Sequence, residues 1–452
     1  MTILATIIVL GVLIFVHELG HFMAAKAVGI DVQRFSIGFG PRVVGFSRGG
    51  TEYVLSWIPL GGYVKMGGMD DEVMERIEGG KNAEPRQPGP RDFDAKPIWA
   101  RTLVISAGVI MNMVFAFALY VTVNAAWGLQ ERDVTRVGNV EAGLVPPGAE
   151  ALLQIPVGGR ITRIGDQTVE HWGHIRDGLW KAEPGPLSIQ VDGLATSLQI
   201  DVPADAETQR RMAAAVEPWI PAVVGLVNPG SPAEKGGLEE DDAIVAVGGV
   251  PVGTWYEFVK QIQGRPEQRT EITLERNGRQ FTRFVTPEES TRKDPVTGES
   301  VEVGLVGIFP PTPDFVYIRV PFSEAVVLGY GDTVFITKLI LGFLRDLFTG
   351  GVSPRSLGSI VTIGAASGEA AAAGMATFLQ FMALFSVNLA VLNLLPIPIL
   401  DGGHLVFLAI EAVRGKALSI EQRLRWSHFG FLLVVGIMVW ALSNDVLRLF
   451  GR

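Results

Sequence analysis

The opening of the chain limits its folds more than any other stretch. From Ile3 to Val16 the residues are apolar and uncharged, and the run ends in His17-Glu18-Leu19-Gly20-His21. Such a run predicts a membrane-crossing helix over residues 1–28. No Lys or Arg precedes Lys26 and no small-residue cleavage site follows, so a signal peptide fits less well. On a helix His17 and His21 are one turn apart and share a face. Two imidazoles so placed can hold one Zn²⁺. Glu18 lies about 100° further round, beside the ion, where it can take a proton from water that the ion activates. There are only six His in 452 residues, so the H-E-x-x-H pattern is hard to obtain by chance. The plain alternative is two core histidines next to an unrelated Glu. Ionisable groups at membrane depth are costly and usually functional, which favours the metal.

The composition agrees with a membrane protein: 48% of residues are apolar and several apolar runs are long. Lys26, Arg34, Arg42 and Arg48 all follow the first run, so its N-terminus faces outward by the positive-inside rule. His17 then lies roughly 21 Å along the helix from Ile3, inside the bilayer and nearer its cytoplasmic side. The net charge of −9, with no basic tail, argues against a nucleic-acid partner. The absence of Cys excludes a thiol nucleophile, a Cys-bound zinc and disulfides.

Residues 29–68 alternate short β-prone runs with glycines and predict a small sheet that dips into the membrane or forms a cytoplasmic hairpin. Residues 69–97 are charged and rich in Gly and Pro, as in a cytoplasmic loop. A second span is expected over 98–127, with Arg101 at its inner end and Trp127 at the far interface. Asn112 inside it serves either helix–helix hydrogen bonding or the site.

Residues 130–310 are soluble in composition and should lie outside the membrane. They contain a repeat: Ile161, Ile164, Gly165, Val169 and Trp172 recur 83 positions later as Ile244, Val247, Gly248, Val252 and Trp255. A Pro-Gly turn precedes each copy, at Pro147-Gly148 and Pro229-Gly230. The second copy, Gly230-Ser231-Pro232-Ala233-Glu234-Lys235-Gly236-Gly237-Leu238 followed by Asp242 to Gly249, resembles a bacterial PDZ domain. Two α+β PDZ domains are therefore expected, over 130–215 and 220–308. They serve either to bind a peptide by strand addition or as a rigid lid.

Residues 322–349 are apolar but interrupted by Glu324, Asp332, Lys338, Arg345 and Asp346. They make either a span or an amphipathic helix on the membrane surface. Residues 351–375, rich in Gly, Ala and Ser, read as a loop with short helical pieces. A third span, 376–396, runs into Asn393-Leu394-Leu395-Pro396-Ile397-Pro398-Ile399-Leu400-Asp401-Gly402-Gly403-His404, whose prolines unwind the helix end. A last span covers 429–449.

His17 to His21 taken with Asn393 to Asp401 resembles the site-2 proteases, the intramembrane zinc metalloproteases. H-E-L-G-H in the first span and N-L-L-P-I-P-x-L-D-G-G in the third are the two signatures of that family. Phe35 to Pro41, Gly62 to Gly68, and the pattern from Phe93 to Asn112 resemble it too, so the likeness covers essentially the whole chain.

The resemblance implies Asp401 as third zinc ligand with His17 and His21, Glu18 as general base and Asn393 as oxyanion donor. It also implies a membrane-reentrant β-loop in which Tyr63, Val64, Lys65 and Met66 hold the unwound substrate. His404 is either a support to the site or loop polarity. Asp401 must reach the depth of His17, so the third span runs inward and residues 322–349 cannot make a single crossing. The expected fold is a polytopic α-helical membrane protein with four spans, both ends outside, and 322–349 on the outer surface. The family further implies a bacterial inner membrane, periplasmic PDZ domains, and pre-trimmed single-pass membrane proteins such as an anti-sigma factor, or remnant signal peptides, as substrates.

Two rival readings are weaker. Gly329-Tyr330-Gly331-Asp332 matches the Gly-x-Gly-Asp of intramembrane aspartyl proteases, but their Tyr-Asp partner is missing from the sequence. A non-catalytic PDZ scaffold would have no use for Glu18 beside two His.

Overall fold

A computed structural model describes residues 2–68, 89–293, 299–350 and 358–449. Most of the loop expected over 69–97 lies outside them. The chain forms two compact units. One joins the residues up to Gly128 with those from Arg319 onward, and the other is Leu129–Ile318.

The first unit is helical. Thr2–Ala27 buries Val9, Leu13, Val16, His17, Gly20, His21 and Ala25 along one stripe, while Ile3, Leu4, Ile7 and Ile8 stay exposed. The imidazoles therefore face the protein interior and not the lipid side, as an ionisable group at this depth requires. Pro97 precedes the second helix, Ile98–Ala126, which crosses the first where Gly20 meets the Ala107 carbonyl. A methyl group at Gly20 would overlap that carbonyl, so the small residue permits the backbones to touch. The helix Met375–Asn393 packs on both: Met382 joins Val9 and Leu13, and Ala383, Val387 and Val391 join Ala116 and Tyr120. It ends three residues before Pro396, and a separate helix, Asp401–Arg414, follows until Gly415 at φ 67°. The sequence showed the break but not that second helix.

Among the described residues five helices are long and apolar enough to cross a membrane, where four crossings were expected. The additional one is Phe322–Thr349. It lies on the second helix through Ala325, Gly329 and Thr333, spaced four apart, with Gly329 against Val121. Its charge at Asp332 accepts a hydrogen bond from Asn124 Nδ2 at 2.9 Å, so a residue that reads as an interruption has a partner on the neighbouring helix. Within 351–375, read as mostly loop, the structure has the helix Ile360–Ala372, capped by Ser359. The last helix is Ile420–Leu449.

The strands Val32–Arg48 and Thr51–Met66 are long and bent, and each serves twice. Residues 34–37 pair with 62–65 on one side and with 52–55 on the other, while 42–48 pairs with 51–56. The sheet thus runs 42–48, 51–58, 32–37, 62–66. Gly62–Met66 is an edge, and no other described strand pairs with its open side. Val32, Phe35, Val64 and Met66 point into a core shared with Ala25, Val104, Ile105 and Leu408.

The second unit contains two lobes of one topology. Each has a four-stranded antiparallel sheet built in the same order, and a helix: Trp172–Trp180 in the first, Trp255–Gln263 in the second. These helices start and end 83 residues apart, the offset of the sequence repeat. Ile161, Ile164 and Ile189 lie in the first core and Ile244, Val247 and Ile272 in the second.

Candidate metal centre

Three side chains from distant parts of the chain meet in the helical unit. His17 Nε2 and His21 Nε2 are 3.2 Å apart, and Asp401 Oδ2 lies 3.2 Å from the first and 3.5 Å from the second. A tetrahedral zinc with N and O ligands at 2.0–2.1 Å has ligand–ligand edges of roughly 3.3–3.4 Å. The three atoms therefore form one face of such a tetrahedron, with the fourth corner left for water or substrate. Both imidazoles are buried, and Asp401 Oδ2 is a buried oxygen with no hydrogen-bonding partner beyond those nitrogens. Among the described residues this is the one group of three or more His, Asp or Glu able to hold a metal ion. The donor set and spacing fit zinc.

The outer nitrogens of the imidazoles are held from the second helix. His21 Nδ1–H donates to the Val104 carbonyl at 2.8 Å, which leaves Nε2 free to ligate. His17 Nδ1 lies 3.2 Å from the Asn112 amide, whose Oδ1 is buried without a partner. Turning that amide over lets Oδ1 accept Nδ1–H from a His17 that ligates through Nε2, and it satisfies the orphaned oxygen. Between these two contacts lies Gly108. A methyl there would fall 2.7 Å from His17 Cε1 and closer still to His21 Nε2, so any side chain would have to push both rings aside.

Asp401 arrives by a different device. After Asn393 the chain turns through Leu394–Leu400, and Gly402 packs onto the carbonyls of Leu394 and Leu395. That contact seats the first turn of the Asp401 helix beneath the end of the preceding one. Asn393 is the last helical residue before the turn, and its Nδ2 is 3.3 Å from His17 Nε2. Its amide N–H thus points at the centre, as a donor to a developing oxyanion would.

Glu18 is half-buried and faces the hairpin, where its Cγ lies 2.9 Å from the place a Gly62 side chain would start. The edge Gly62–Met66 therefore passes beside the carboxylate. Val64 and Met66 are buried in the hairpin core, so anything laid along this edge meets their backbone and not their side chains. Tyr63 stacks on Phe39 and receives a hydrogen bond from Arg34 Nη1 at 3.2 Å; Lys65 is half-buried. His404 does not join the ligand group; it lines a small cavity with Arg101 and Glu411.

Comparison with known proteins agrees with this geometry. The model for peptidase family M50 matches residues 5–437. The regulator of sigma-E protease RseP of Escherichia coli K12 is 35% identical over 467 aligned positions, 98% of each chain. The regulator of sigma E protease of Haemophilus influenzae is 33% identical over 456, again 98% of each. A protein of Neisseria meningitidis named as a candidate zinc metalloprotease is 33% identical over 466 positions and the full length of both chains. With the family model matching nearly the whole chain and relatives of 33–35% identity aligned over its full length, the chain is a multi-pass membrane zinc metalloprotease and belongs to peptidase family M50, the site-2 proteases.

Proposed function

We propose that this protein cuts within the transmembrane segments of single-pass membrane proteins. The observation that carries the reading is the convergence of His17, His21 and Asp401 inside apolar helices, with Glu18, next to His17 in the chain, packed against Gly62 of an open strand edge. When bound there, zinc supplies a Lewis acid that acidifies water and polarises the scissile carbonyl. The Glu18 carboxylate takes the proton from the attacking water and returns it to the leaving amine nitrogen. The Asn393 amide donates to the carbonyl oxygen as its charge develops. A helical substrate hides its carbonyls in its own hydrogen bonds, so it must be extended before attack. Gly62–Met66 offers the strand to pair with it.

Four crossings with both chain ends outside fit this chemistry. Asp401 shares the depth of His17, so Met375–Asn393 runs inward. Ile360–Ala372 packs through Gly364 and Gly368 beside Thr6 and Thr2, at the outward end of the first helix. The stretch from Phe322 to Ala372 then enters and leaves on the same side. The two lobes are read as periplasmic PDZ domains of a bacterial inner-membrane enzyme. They hold an extended peptide or bar substrates that still carry a bulky outer domain. The E. coli and H. influenzae relatives are named as regulators of sigma E, which fits an anti-sigma factor as one substrate; its prior trimming outside, and remnant signal peptides as another substrate, rest on the family resemblance.

The test is co-expression of wild type and Glu18→Gln with doubly tagged single-pass membrane proteins, followed by mapping of the product ends. Cleavage inside the span by wild type alone supports the reading. Equal products from both, or cuts only outside the span, would sink it.

A further inference from the structure

The second helix touches both imidazoles, and the helices that carry Asn393 and Asp401, along one face. Arg101, Val104, Gly108 and Asn112 stand at helical spacings of 3, 4 and 4, which keeps them on one side. Val104 fixes His21, Gly108 abuts both imidazoles, and Asn112 meets His17. The Asn112 carbonyl also accepts a hydrogen bond from Ser386 Oγ at 2.8 Å, on the helix that ends in Asn393. Arg101, one turn before Val104, is the remaining member of this face. Its guanidinium grips Glu411 in two parallel contacts, Nη1 to Oε2 at 3.0 Å and Nη2 to Oε1 at 2.5 Å, while Nε donates to the Lys96 carbonyl at 3.0 Å. The Arg101 side chain is 8% exposed and that of Glu411 17%. Glu411 belongs to the helix that begins at Asp401.

We propose that Arg101 and Glu411 are positioning residues for the metal centre: their paired hydrogen bonds set how far the Asp401 helix lies along the helix that holds both imidazoles. The apolar contacts between these two helices offer no such directional control. Leu408 packs with Val104 and Ile105, but apolar contact is non-directional and tolerates sliding. A two-pronged Arg–carboxylate contact does not, because it fixes both distance and orientation. The Asp401–Arg414 segment is one unbroken helix, so an axial shift at Glu411 reaches Asp401 undiminished. Ligand atoms must be held to within about 0.5 Å, less than a slipped apolar contact would allow. The pair touches no reacting atom and acts through the helix.

The proposal rests on the metal-site reading, and its test keeps the two separable. Full-length protein in detergent is stripped with a chelator. Zinc affinity is then measured by competition with a chromophoric chelator, and Co²⁺ is substituted to read ligand geometry from its visible spectrum. Glu411→Gln preserves shape and one acceptor, and should weaken zinc about 10-fold, with Arg101→Met losing up to about 100-fold, the range expected for groups that orient metal ligands. Both should shift the Co²⁺ bands. If Arg101→Met fails to fold, Glu411→Gln still decides the matter. Arg423→Gln breaks a half-exposed 3.8 Å contact with Asp94 that lines the same small cavity but joins neither of these two helices, and should leave affinity and spectrum as in wild type. Wild-type affinity and spectrum in Glu411→Gln would overturn the positioning role while leaving the zinc site standing. A wild-type protein that binds no stoichiometric zinc would overturn the site itself. Equal loss in Arg423→Gln would also overturn the proposal, since any loosened helix end would then have the same effect.

Discussion

The two halves of the metal centre are held in opposite ways. The imidazole pair is a local product: two residues one turn apart on a single helix, so helix formation alone brings them together. The carboxylate is a tertiary product. It reaches the imidazoles only after a helix ends, a seven-residue turn intervenes, and a new helix starts with a glycine pressed on two carbonyls. A local pair tolerates distortion elsewhere in the bundle. A ligand delivered by a turn depends on every contact along the route. The difference teaches that the carboxylate half is where geometry, and so zinc affinity, is most easily lost.

The largest effect should come from removing that half outright. Asp401→Ala leaves both imidazoles in place, yet purified protein should carry no stoichiometric zinc by atomic absorption and show no turnover. Zinc retained at wild-type level would break the comparison. Glu18→Gln should lower turnover by about 10²–10⁴-fold, the usual contribution of a general base, with zinc content unchanged. It belongs to neither half, so loss of metal here would mean that Glu18 is structural.

Two alanine substitutions sharpen the contrast. Gly402→Ala places a methyl onto the Leu394 and Leu395 carbonyls, and should displace Asp401 while sparing the imidazole pair. Gly108→Ala pushes on both imidazoles, which can tilt about their own side-chain bonds. Zinc titration should show the larger loss for Gly402→Ala. Smallest is Asn112→Ala, which removes the partner of His17 Nδ1 and should weaken zinc about 10-fold without changing which residues ligate it.

The same contrast explains what could be read from the chain. H-E-x-x-H declares itself because its geometry is contained in five residues, and the 83-residue repeat because both lobes reuse one pattern of buried aliphatics. The helices Thr2–Ala27 and Ile98–Ala126 lie close to their expected limits, since apolar length and a proline boundary are local signals. Asp401 entered only through family resemblance, as no spacing rule links it to His17. The Asp401–Arg414 helix went unread because Pro396 and Pro398 mark the break but not the restart. Glu411, Ser386 and Val104 gave no sequence signal: a carboxylate, a hydroxyl and a backbone carbonyl matter here only through what they touch. For Phe322–Thr349 the charges left a span and a surface helix open, and only the implied depth of Asp401 favoured the surface. Asp332 reaches Asn124 across a helix contact that composition cannot show.

On the proposed reading, in which the edge at Gly62–Met66 pairs with substrate, there is a consequence for selectivity. An enzyme that grips its victim by amide groups reads little of the victim's spelling. What it senses is how readily a stretch uncoils, so a Gly or Pro that loosens a doomed segment should matter more than any motif around the cut.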